Sequence, residues 1–181
     1  PVREVIRERI AVPEQPAPRP AKTSNALNME LLRAEIMTEE GVEYRIYLDH
    51  KNNPTLGIGH LIKESDPEYG KPINTPISVD RVNQLFAQDV ASAINDAERL
   101  VNDFESLPRE AKHVLIQMVF QMGYSRVKKF KQTLKHFNAG EWELAANEML
   151  DSLWYRRDTP ARAMRMSQRI KNLSMPDIYL A

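Results

Sequence analysis

The stretch EEGVEYRIYLD, Glu39 to Asp49, contains a change of period that decides the fold. Upstream of it, apolar residues between Met29 and Met37 recur three and four positions apart, which predicts a helix. Gly41 stands where a glycine commonly ends a helix. Beyond Gly41 the side chains alternate in character with a period of two, which predicts a strand. One carboxylate, Glu40, therefore ends the predicted helix, and another, Asp49, ends the predicted strand.

Downstream, the chain is expected to turn back on itself. Asn52-Asn53-Pro54 is a turn signal, and Thr55 to His60 resumes an extended run, so the sequence predicts a small β-hairpin. Residues 62–77 contain three prolines and a glycine and are predicted to form a loop.

The rest of the chain has helical periodicity. Ser78 is a good N-cap for a helix of some twenty residues, long enough to join two lobes. Pro108 opens the next helix, and Gly123 ends it; this helix is apolar nearly all round and is predicted to be buried. Further helices are predicted around Val127 to Phe137 (ending at Gly140), around Glu141 to Tyr155, and from Thr159-Pro160 onwards. The predicted class is α+β, mostly helical, with one small sheet near the front.

Proline is concentrated at the start of the chain. Five of the twelve prolines lie in the first twenty residues, a density that favours extended polyproline II structure over helix or sheet. Residues 1–25 are therefore predicted to be a linker or the remnant of a preceding domain, and residues 26–181 to be the folded domain. A chain that begins with Pro instead of Met also hints at a piece of a longer protein.

Composition excludes several classes of function. There is no cysteine, and the four histidines show no metal-ligand spacing, so neither a metal nor a cofactor is predicted. No apolar run is long enough to span a membrane. Residues 1–107 carry 12 Lys and Arg against 18 Asp and Glu, whereas residues 108–181 carry 13 against 7. The basic half could bind an anionic polymer or could be an ordinary solvated surface. It contains no recognised nucleic-acid-binding motif.

The two carboxylates suggest general acid–base chemistry. Glu40 would lie at the negative end of a helix dipole, which disfavours its ionised form and suits a general acid. Asp49, at a turn, would be partly solvated and ionised, and Thr55 could face it across the hairpin. An acid, an ionised carboxylate and a hydroxyl around one cleft can hydrolyse a glycosidic bond.

The pattern around these residues resembles a known family. GVEYRIYLDHKNNPTLGIGH (Gly41 to His60) is similar to the opening signature of the T-even phage lysozymes, and the similarity continues in LFAQDV (Leu85 to Val90), MVFQMG (Met118 to Gly123) and SLWY (Ser152 to Tyr155). This resemblance covers roughly residues 27 to 165. It implies a lysozyme-like fold with two lobes and cleavage of the β-1,4 bond between N-acetylmuramic acid and N-acetylglucosamine in bacterial peptidoglycan.

The resemblance also implies a role for each matching residue. Glu40 would be the general acid, Asp49 its partner carboxylate, and Thr55 would help to place the hydrolytic water. The family is understood to invert the anomeric centre, which requires room for a water between carboxylate and sugar. The positions that would line the saccharide cleft are Leu61, Phe120 and Gln121.

Other matching positions are interpreted as structural. His60 and Asp89 correspond to a buried ion pair. Arg162 corresponds to an arginine that lies near the catalytic glutamate and orients it. Trp154 and Trp142 are predicted core anchors of the helical lobe.

Several positions depart from the family pattern. The segment between His60 and Ser78 is shorter or rearranged, and Leu153 replaces a basic residue, which makes SLWY similar to the tail-spike branch of the family. Thr133 stands at a sugar-contacting position where Ser is expected, and Glu148 stands where Asn is expected, so no role is transferred to Glu148.

Two biological settings remain open, as do other functions. A phage tail lysozyme is favoured by the Pro-rich segment, the missing Met and the resemblance of SLWY. Its N-terminal segment could bind other tail or baseplate proteins. It would act on the host periplasm and wall. The alternative is a free endolysin, held in the host cytoplasm before lysis. Rival readings are an inactive wall-binding module, a nucleic-acid-binding domain and a lytic transglycosylase, which would not need Asp49.

Overall fold

The computed structural model describes residues 25–175 of the chain. The predicted Pro-rich segment, residues 1–25, lies outside the described residues except for Asn25, so the domain boundary at 25/26 stays a prediction. The described chain forms seven α-helices, three short strands and one π-helical turn. In chain order they are α1 (Met29–Glu40), β1 (Glu43–Leu48), β2 (Pro54–Gly57), β3 (His60–Leu61), α2 (Val79–Glu98), α3 (Arg109–Met122), α4 (Tyr124–Lys128), α5 (Lys131–Ala139), α6 (Trp142–Leu150), the π-turn (Trp154–Asp158) and α7 (Pro160–Asn172).

The helix-to-strand change predicted at Gly41 is confirmed. Asn28 caps α1 by accepting a hydrogen bond from the N–H of Leu31 at 3.0 Å. At the other end Gly41 has φ +72°, a value that glycine adopts without steric strain, and its N–H donates to the carbonyl of Met37. Glu40 is thus the last residue of the helix.

The sheet contains one strand more than the predicted hairpin. It is antiparallel with the order β1-β2-β3, and Tyr47 pairs with Thr55 while Thr55 also pairs with Leu61. The predicted single run from Thr55 to His60 is wrong, because the chain turns between Gly57 and His60. Gly57 and Gly59 both have positive φ, +62° and +64°, and these two bends fold β3 back on β2.

Residues 62–77 form the predicted loop, and its end lies along β1. The amide of Asn74 donates to the carbonyl of Ile46 at 2.7 Å, and the amide of Ile77 donates to Tyr44 at 2.9 Å. Glu68, buried within this loop, accepts two hydrogen bonds from Arg81 of α2 at 2.7 and 3.0 Å. The loop is therefore fastened both to the sheet and to α2.

The long helix and the central helix were both predicted. Ser78 caps α2, and the helix has 20 residues, which corresponds to about 30 Å. It packs against β2 and β3 at one end and against α3 further along, as a helix joining two lobes should. In α3 every residue from Ala111 to Val119 is buried, so this helix forms the centre of the helical lobe. Pro108 is its N-cap, one residue before its first turn.

Two predicted helices are each broken in the structure. The helix expected around Val127 to Phe137 is two helices, α4 and α5, because the backbone leaves the helical region at Phe130 (ψ 57°). The ring of Phe130 packs edge to face on Trp154, with centroids 6.1 Å apart. The helix expected to end at Tyr155 ends at Leu150, and a π-turn then places Trp154 in the core. Tertiary packing of these two aromatic rings overrides the local periodicity.

The last helix begins at Pro160, as predicted, with Thr159 before it. Of the two tryptophans, Trp154 is fully buried, whereas Trp142 is only partly buried and packs on Phe137. Within residues 25–175 no helix combines the length and the apolar character needed to cross a bilayer. The observed class is the predicted one: mostly helical α+β, with a small antiparallel sheet.

Candidate active site

A cleft of about 490 Å³ runs between the sheet and the helical lobe. Its walls include the ends of α1 and β1, the turn after β2, part of α2 and the C-terminal turn of α3. Eight of the nine residues that the sequence singled out line this cleft: Glu40, Asp49, Thr55, His60, Leu61, Asp89, Phe120 and Gln121. The ninth, Arg162, is buried and contacts Glu40.

Glu40 is held on two sides. Nη1 of Arg162, on α7, donates to Oε1 of Glu40 at 2.7 Å. On the other side the carboxylate lies against the backbone of Gly59, where a side chain would not fit: an ideal Cβ at this position would be 2.8 Å from Oε2. The glycine in this turn is therefore needed both for its positive φ and for the space it leaves to Glu40.

Arg162 connects two neighbouring carboxylates. Its side chain is 8% exposed, and its Nε lies 3.7 Å from Oε2 of Glu39. Glu39 in turn accepts a pair of hydrogen bonds from Nη2 of Arg165, at 2.7 and 2.8 Å. Consecutive glutamates at the end of α1 thus face two arginines of α7. The predicted contact between Arg162 and Glu40 is present, and the Glu39–Arg165 pair was not foreseen.

Asp49 lies in a turn that favours its ionised form. Oδ1 accepts the backbone N–H groups of Lys51 at 2.8 Å and of Asn53 at 2.9 Å, and Oδ2 lies 3.4 Å from the side-chain amide of Asn53. Burial raises the pKa of Asp49, but these hydrogen bonds outweigh it and hold the pKa below the ordinary value. Asp49 is therefore a carboxylate at neutral pH, as the sequence suggested.

Thr55 reaches Asp49 only indirectly. It was expected to face Asp49 across the hairpin, but the register places it opposite Tyr47. Its hydroxyl, almost fully buried, donates to the carbonyl of Asn53 at 2.9 Å, and the amide of that same Asn53 binds Asp49. Asn53 therefore links the two side chains, and the Thr55 oxygen keeps its lone pairs for another donor.

The cleft side of α3 presents an apolar ring and an amide. Phe120 packs edge to face on Phe86 of α2, with centroids 6.1 Å apart. Gln121 is fixed at both ends of its amide: Nε2 donates to Oγ1 of Thr159 at 3.0 Å, and Oε1 accepts from Nε1 of Trp154 at 3.0 Å. Leu61, on β3, is half exposed at the opposite wall. Core anchoring by Trp154 thus also sets the orientation of a cleft residue.

His60 makes the predicted pair with Asp89 and a second one that was missed. Nδ1 lies 2.7 Å from Oδ2 of Asp89 on α2, and Nε2 lies 2.8 Å from Oδ2 of Asp66 in the loop. Burial lowers the pKa of His60, but the two carboxylates outweigh it and raise the pKa above 6.5. Burial raises the pKa of Asp66, but the backbone N–H of Lys63 and then His60 outweigh it and hold this pKa low. No sequence period marks Asp66, because it lies in an irregular Pro-rich loop.

Charged and aromatic residues that the sequence did not single out complete the cleft. Asp158, the last residue of the π-turn, accepts hydrogen bonds from Arg157 and Arg126, which together lower its pKa to about 2. Tyr47 lies between the two carboxylates in sequence and also lines the cleft; burial and then the charge of Glu40 raise its pKa. The sequence could have indicated Tyr47, because it stands two positions before Asp49 in the alternating run YRIYLD.

A second cavity, of about 340 Å³, adjoins the cleft between α4, α5 and α6. It contains Thr133, Glu148 and Leu153, three positions that depart from the family pattern, and it shares Arg126 with the main cleft. Among residues 25–175, no group of three or more His, Asp or Glu side chains is placed to hold a metal ion.

The sequence of the chain matches known proteins over most of its length. The family model described as Phage lysozyme matches residues 37–166. The chain is 33% identical over 154 residues to "Probable T4-type lysozyme 2" of Dictyostelium discoideum, covering 75% of this chain and 90% of that protein. It is 31% identical over 162 residues to "Pre-baseplate central spike protein Gp5" of Enterobacteria phage T4, covering 79% of this chain but only 28% of that protein.

A more distant relative is also much longer than this chain, as Gp5 is. "Peptidoglycan hydrolase gp36" of Pseudomonas phage phiKMV is 25% identical over 138 residues, which is 76% of this chain and 15% of that protein. The family model spans well over half of the sequence and includes every residue of the candidate site. The chain therefore belongs to the phage lysozyme family.

Proposed function

We propose that this domain is a muramidase that hydrolyses the β-1,4 bond between N-acetylmuramic acid and N-acetylglucosamine in bacterial peptidoglycan. The observation that carries the proposal is that Glu40 and Asp49 line one cleft in different environments. Glu40 is held by an arginine and a glycine backbone, and Asp49 by peptide N–H groups. Two carboxyl groups in separate environments around one cleft suit an acid and a base.

In the proposed mechanism Glu40 donates the proton to the leaving glycosidic oxygen. Arg162 keeps the carboxyl group pointed into the cleft and stabilises the carboxylate that remains after proton transfer. Asp49, already ionised, accepts a proton from the attacking water. The Thr55 hydroxyl donates to Asn53, so its oxygen is left to accept a hydrogen bond from that water. Attack from the face opposite Glu40 inverts the anomeric carbon.

The remaining cleft residues suit a saccharide. Leu61 and Phe120 offer apolar surface to the C–H faces of the sugar rings. Gln121 uses one N–H and one lone pair on Thr159 and Trp154, which leaves a second N–H and lone pair for a hydroxyl or an acetamido group. Because both ends of this amide are already fixed, the sugar would meet a pre-oriented partner.

Mass spectrometry of the fragments released from purified peptidoglycan tests this activity. A muramidase leaves reducing-end N-acetylmuramic acid, whereas a lytic transglycosylase leaves the anhydro form and a glucosaminidase leaves reducing-end N-acetylglucosamine. Reducing-end muramic acid is the expected product. Either of the other products would replace the proposed reaction, and bound but uncleaved peptidoglycan would indicate a wall-binding module.

We further infer that the domain works within a phage tail. The relative Gp5 is, by its name, a pre-baseplate central spike protein, and the chain matches 28% of its length. In that setting the domain would open the host wall from the virion and would be joined to other tail proteins. The alternative is a free endolysin; a match that covers 90% of a Dictyostelium relative agrees with a lysozyme domain that stands alone. Peptide mass fingerprinting of purified virions decides between them: peptides of this domain at a stoichiometry constant across preparations support the tail, and their absence supports the endolysin.

A further inference from the structure

A cluster of charged and polar side chains, the Glu35 cluster, lies outside the cleft where α1, α3 and α7 meet. We define it as Glu35, Glu110, His113, Gln117 and Arg169. Oε2 of Glu35 accepts a hydrogen bond from Nε2 of Gln117 at 2.7 Å and lies 3.4 Å from Nδ1 of His113. Both Glu35 oxygens lie 3.2 Å from the guanidinium of Arg169. One carboxylate of α1 therefore binds both neighbouring helices.

This cluster is the far end of a row of ion pairs between α1 and α7. The arginines stand at positions i, i+3 and i+7 of α7, which is one face of the helix. As the residue number rises along α7 it falls along α1, so the ion pairs connect the two helices along several turns. From the cleft outwards they are Arg162 with Glu40 at 2.7 Å, Arg165 with Glu39 at 2.7 Å, and Arg169 with Glu35 at 3.2 Å.

The imidazole of His113 ties the start of the same helix to α3. Its Nε2 accepts the backbone N–H of Asn28, the N-cap residue of α1, at 3.3 Å. An imidazole nitrogen that accepts a hydrogen bond carries no proton, so in the neutral ring the proton is on Nδ1. His113 is fully buried, and it therefore holds the N-cap of α1 against α3, with Nδ1 near Glu35 but not hydrogen-bonded to it.

Glu35 is ionised in this setting. Burial raises its pKa, but His113 and Arg169 together hold the pKa below the ordinary value. The side chains of Glu35 and Arg169 are 21% and 23% exposed, so removal of either one leaves a largely buried charge with one partner fewer. The pair is thus a strong constraint on where α1 can lie, although it contributes nothing directly to the cleft.

The constraint matters because Glu40 belongs to the same rigid helix. Glu40 lies five positions after Glu35, about 7.5 Å along the helix axis. A shift or rotation of α1 at Glu35 therefore also displaces Glu40. An acid group must be held within about 0.5 Å of its productive position. Arg162 and the backbone of Gly59 hold the Glu40 carboxyl group, but contacts at the end of a helix do not by themselves fix its rotation.

We propose that Glu35 and Arg169 are positioning residues for Glu40: they lock the rotation and axial register of α1 against α7, and so place the Glu40 carboxyl group in the cleft. This inference rests on the proposed role of Glu40 as the acid. It assigns a function in the reaction to a pair that touches neither the cleft nor the substrate.

Arg169 provides its own control, because it binds a second carboxylate that is not on α1. Its Nε donates to Oε2 of Glu110 at 2.8 Å, and Glu110 lies in the first turn of α3. Glu35→Gln and Glu110→Gln each remove one negative charge from the same guanidinium. Only Glu35→Gln removes a contact of α1. If the cluster acts on stability alone, the two variants should behave alike; if it positions α1, only Glu35→Gln should lose activity.

The test is steady-state hydrolysis of soluble peptidoglycan fragments, with thermal unfolding measured in parallel. For Glu35→Gln we expect kcat to fall about tenfold with KM changed by less than about twofold. The reason is that a displaced Glu40 would weaken proton donation in the transition state but not the binding of the substrate. For Glu110→Gln we expect unchanged kcat and KM, with a lowered Tm. Wild-type kcat in Glu35→Gln, or an equal loss in both variants, would overturn the proposal.

Two further measurements keep the outcome readable. If Glu35→Gln does not fold, Arg169→Lys retains the cation but not the planar fork, and an intermediate fall in kcat is expected; unchanged kcat there counts against positioning. If the wild type hydrolyses nothing, the proposed function fails. Positioning is then judged from the NMR chemical shift of the Glu40 side-chain carboxyl carbon, assigned with Glu40→Gln. That signal should move in Glu35→Gln and stay in place in Glu110→Gln; a signal that stays in place in both would refute positioning.

Discussion

Nη1 of Arg162 lies 2.7 Å from Oε1 of Glu40, although 122 residues separate the two in sequence. This contact joins the last residue of α1 to the first turns of α7, and it brings the C-terminal part of the chain to the candidate acid. The proposed chemistry of the N-terminal signature therefore depends on the correct packing of the final helix.

Replacement of Arg162 should lower activity more than replacement of its neighbour. Arg162→Met leaves the largely buried Glu40 carboxylate without its partner and free to turn away, so we expect kcat to fall at least about tenfold. Arg165→Met removes a more exposed arginine that contacts Glu39 only, and it should retain most of the activity. The two kcat values measured side by side decide the point, and equal losses would show that Arg162 has no special role.

Gly59→Ala should impair hydrolysis through a steric effect on Glu40. The new Cβ would lie 2.8 Å from Oε2, so the carboxylate must move. Gly70→Ala is the matched control, because Gly70 has a similar φ of +76° but open space where the Cβ would be. Both variants should lose about 1 kcal/mol of stability from the backbone strain. Only Gly59→Ala should lose activity, and an active Gly59→Ala would mean that Glu40 tolerates displacement.

His60 should make the stability of the fold depend on pH. The pKa of His60 is raised in the folded state, so its protonated form stabilises the fold. This contribution is fully present below the ordinary pKa of 6.5 and is lost as the pH rises through the raised value. Asp66 has a lowered pKa, so its contribution is present above 3.8 and lost as the pH falls through the lowered value.

The difference in unfolding free energy between wild type and His60→Asn should therefore be largest from about pH 4 to 6.5 and shrink above that range. Urea unfolding at a series of pH values measures it, with exposed His50→Asn as the control. A difference that stays constant, or one that grows towards high pH, would contradict the ion pairs of His60 with Asp66 and Asp89.

The stereochemistry of the first product tests the assigned role of Asp49. If Asp49 activates a water on the face opposite Glu40, hydrolysis of the β-linked substrate releases the α-anomer first. Proton NMR of the anomeric signal in the first minutes of reaction distinguishes the two outcomes. Initial release of the β-anomer would require a covalent intermediate on Asp49 or an acetamido group as the nucleophile.

Features set by neighbouring residues in the chain were predictable from the sequence. Gly41 marked the end of α1, Ser78 marked the start of α2, and the apolar character of α3 indicated its burial; each depends on residues within a few positions. The resemblance to the family suggested the candidate site residues, and all of them except Arg162, which contacts Glu40, line one cleft.

Features set by distant partners were not predictable. Asp66 meets His60 because a loop without any period folds back, and Phe130 breaks a helix because its ring packs on Trp154. Glu35 contacts partners 82 and 134 residues away. On the surface of a single amphipathic helix it resembles any solvated glutamate, and only the packing of α1 against two other helices distinguishes it.

The proposed mechanism depends most directly on Glu40 as the proton donor. The measurement is the release of reducing-end muramic acid from purified peptidoglycan by wild type and by Glu40→Gln, with folding of the variant checked by circular dichroism. Gln has the same shape as Glu but no transferable proton, so we expect a loss of about 10²-fold or more with peptidoglycan binding retained. A folded Glu40→Gln variant that releases the same product at the wild-type rate would contradict the mechanism.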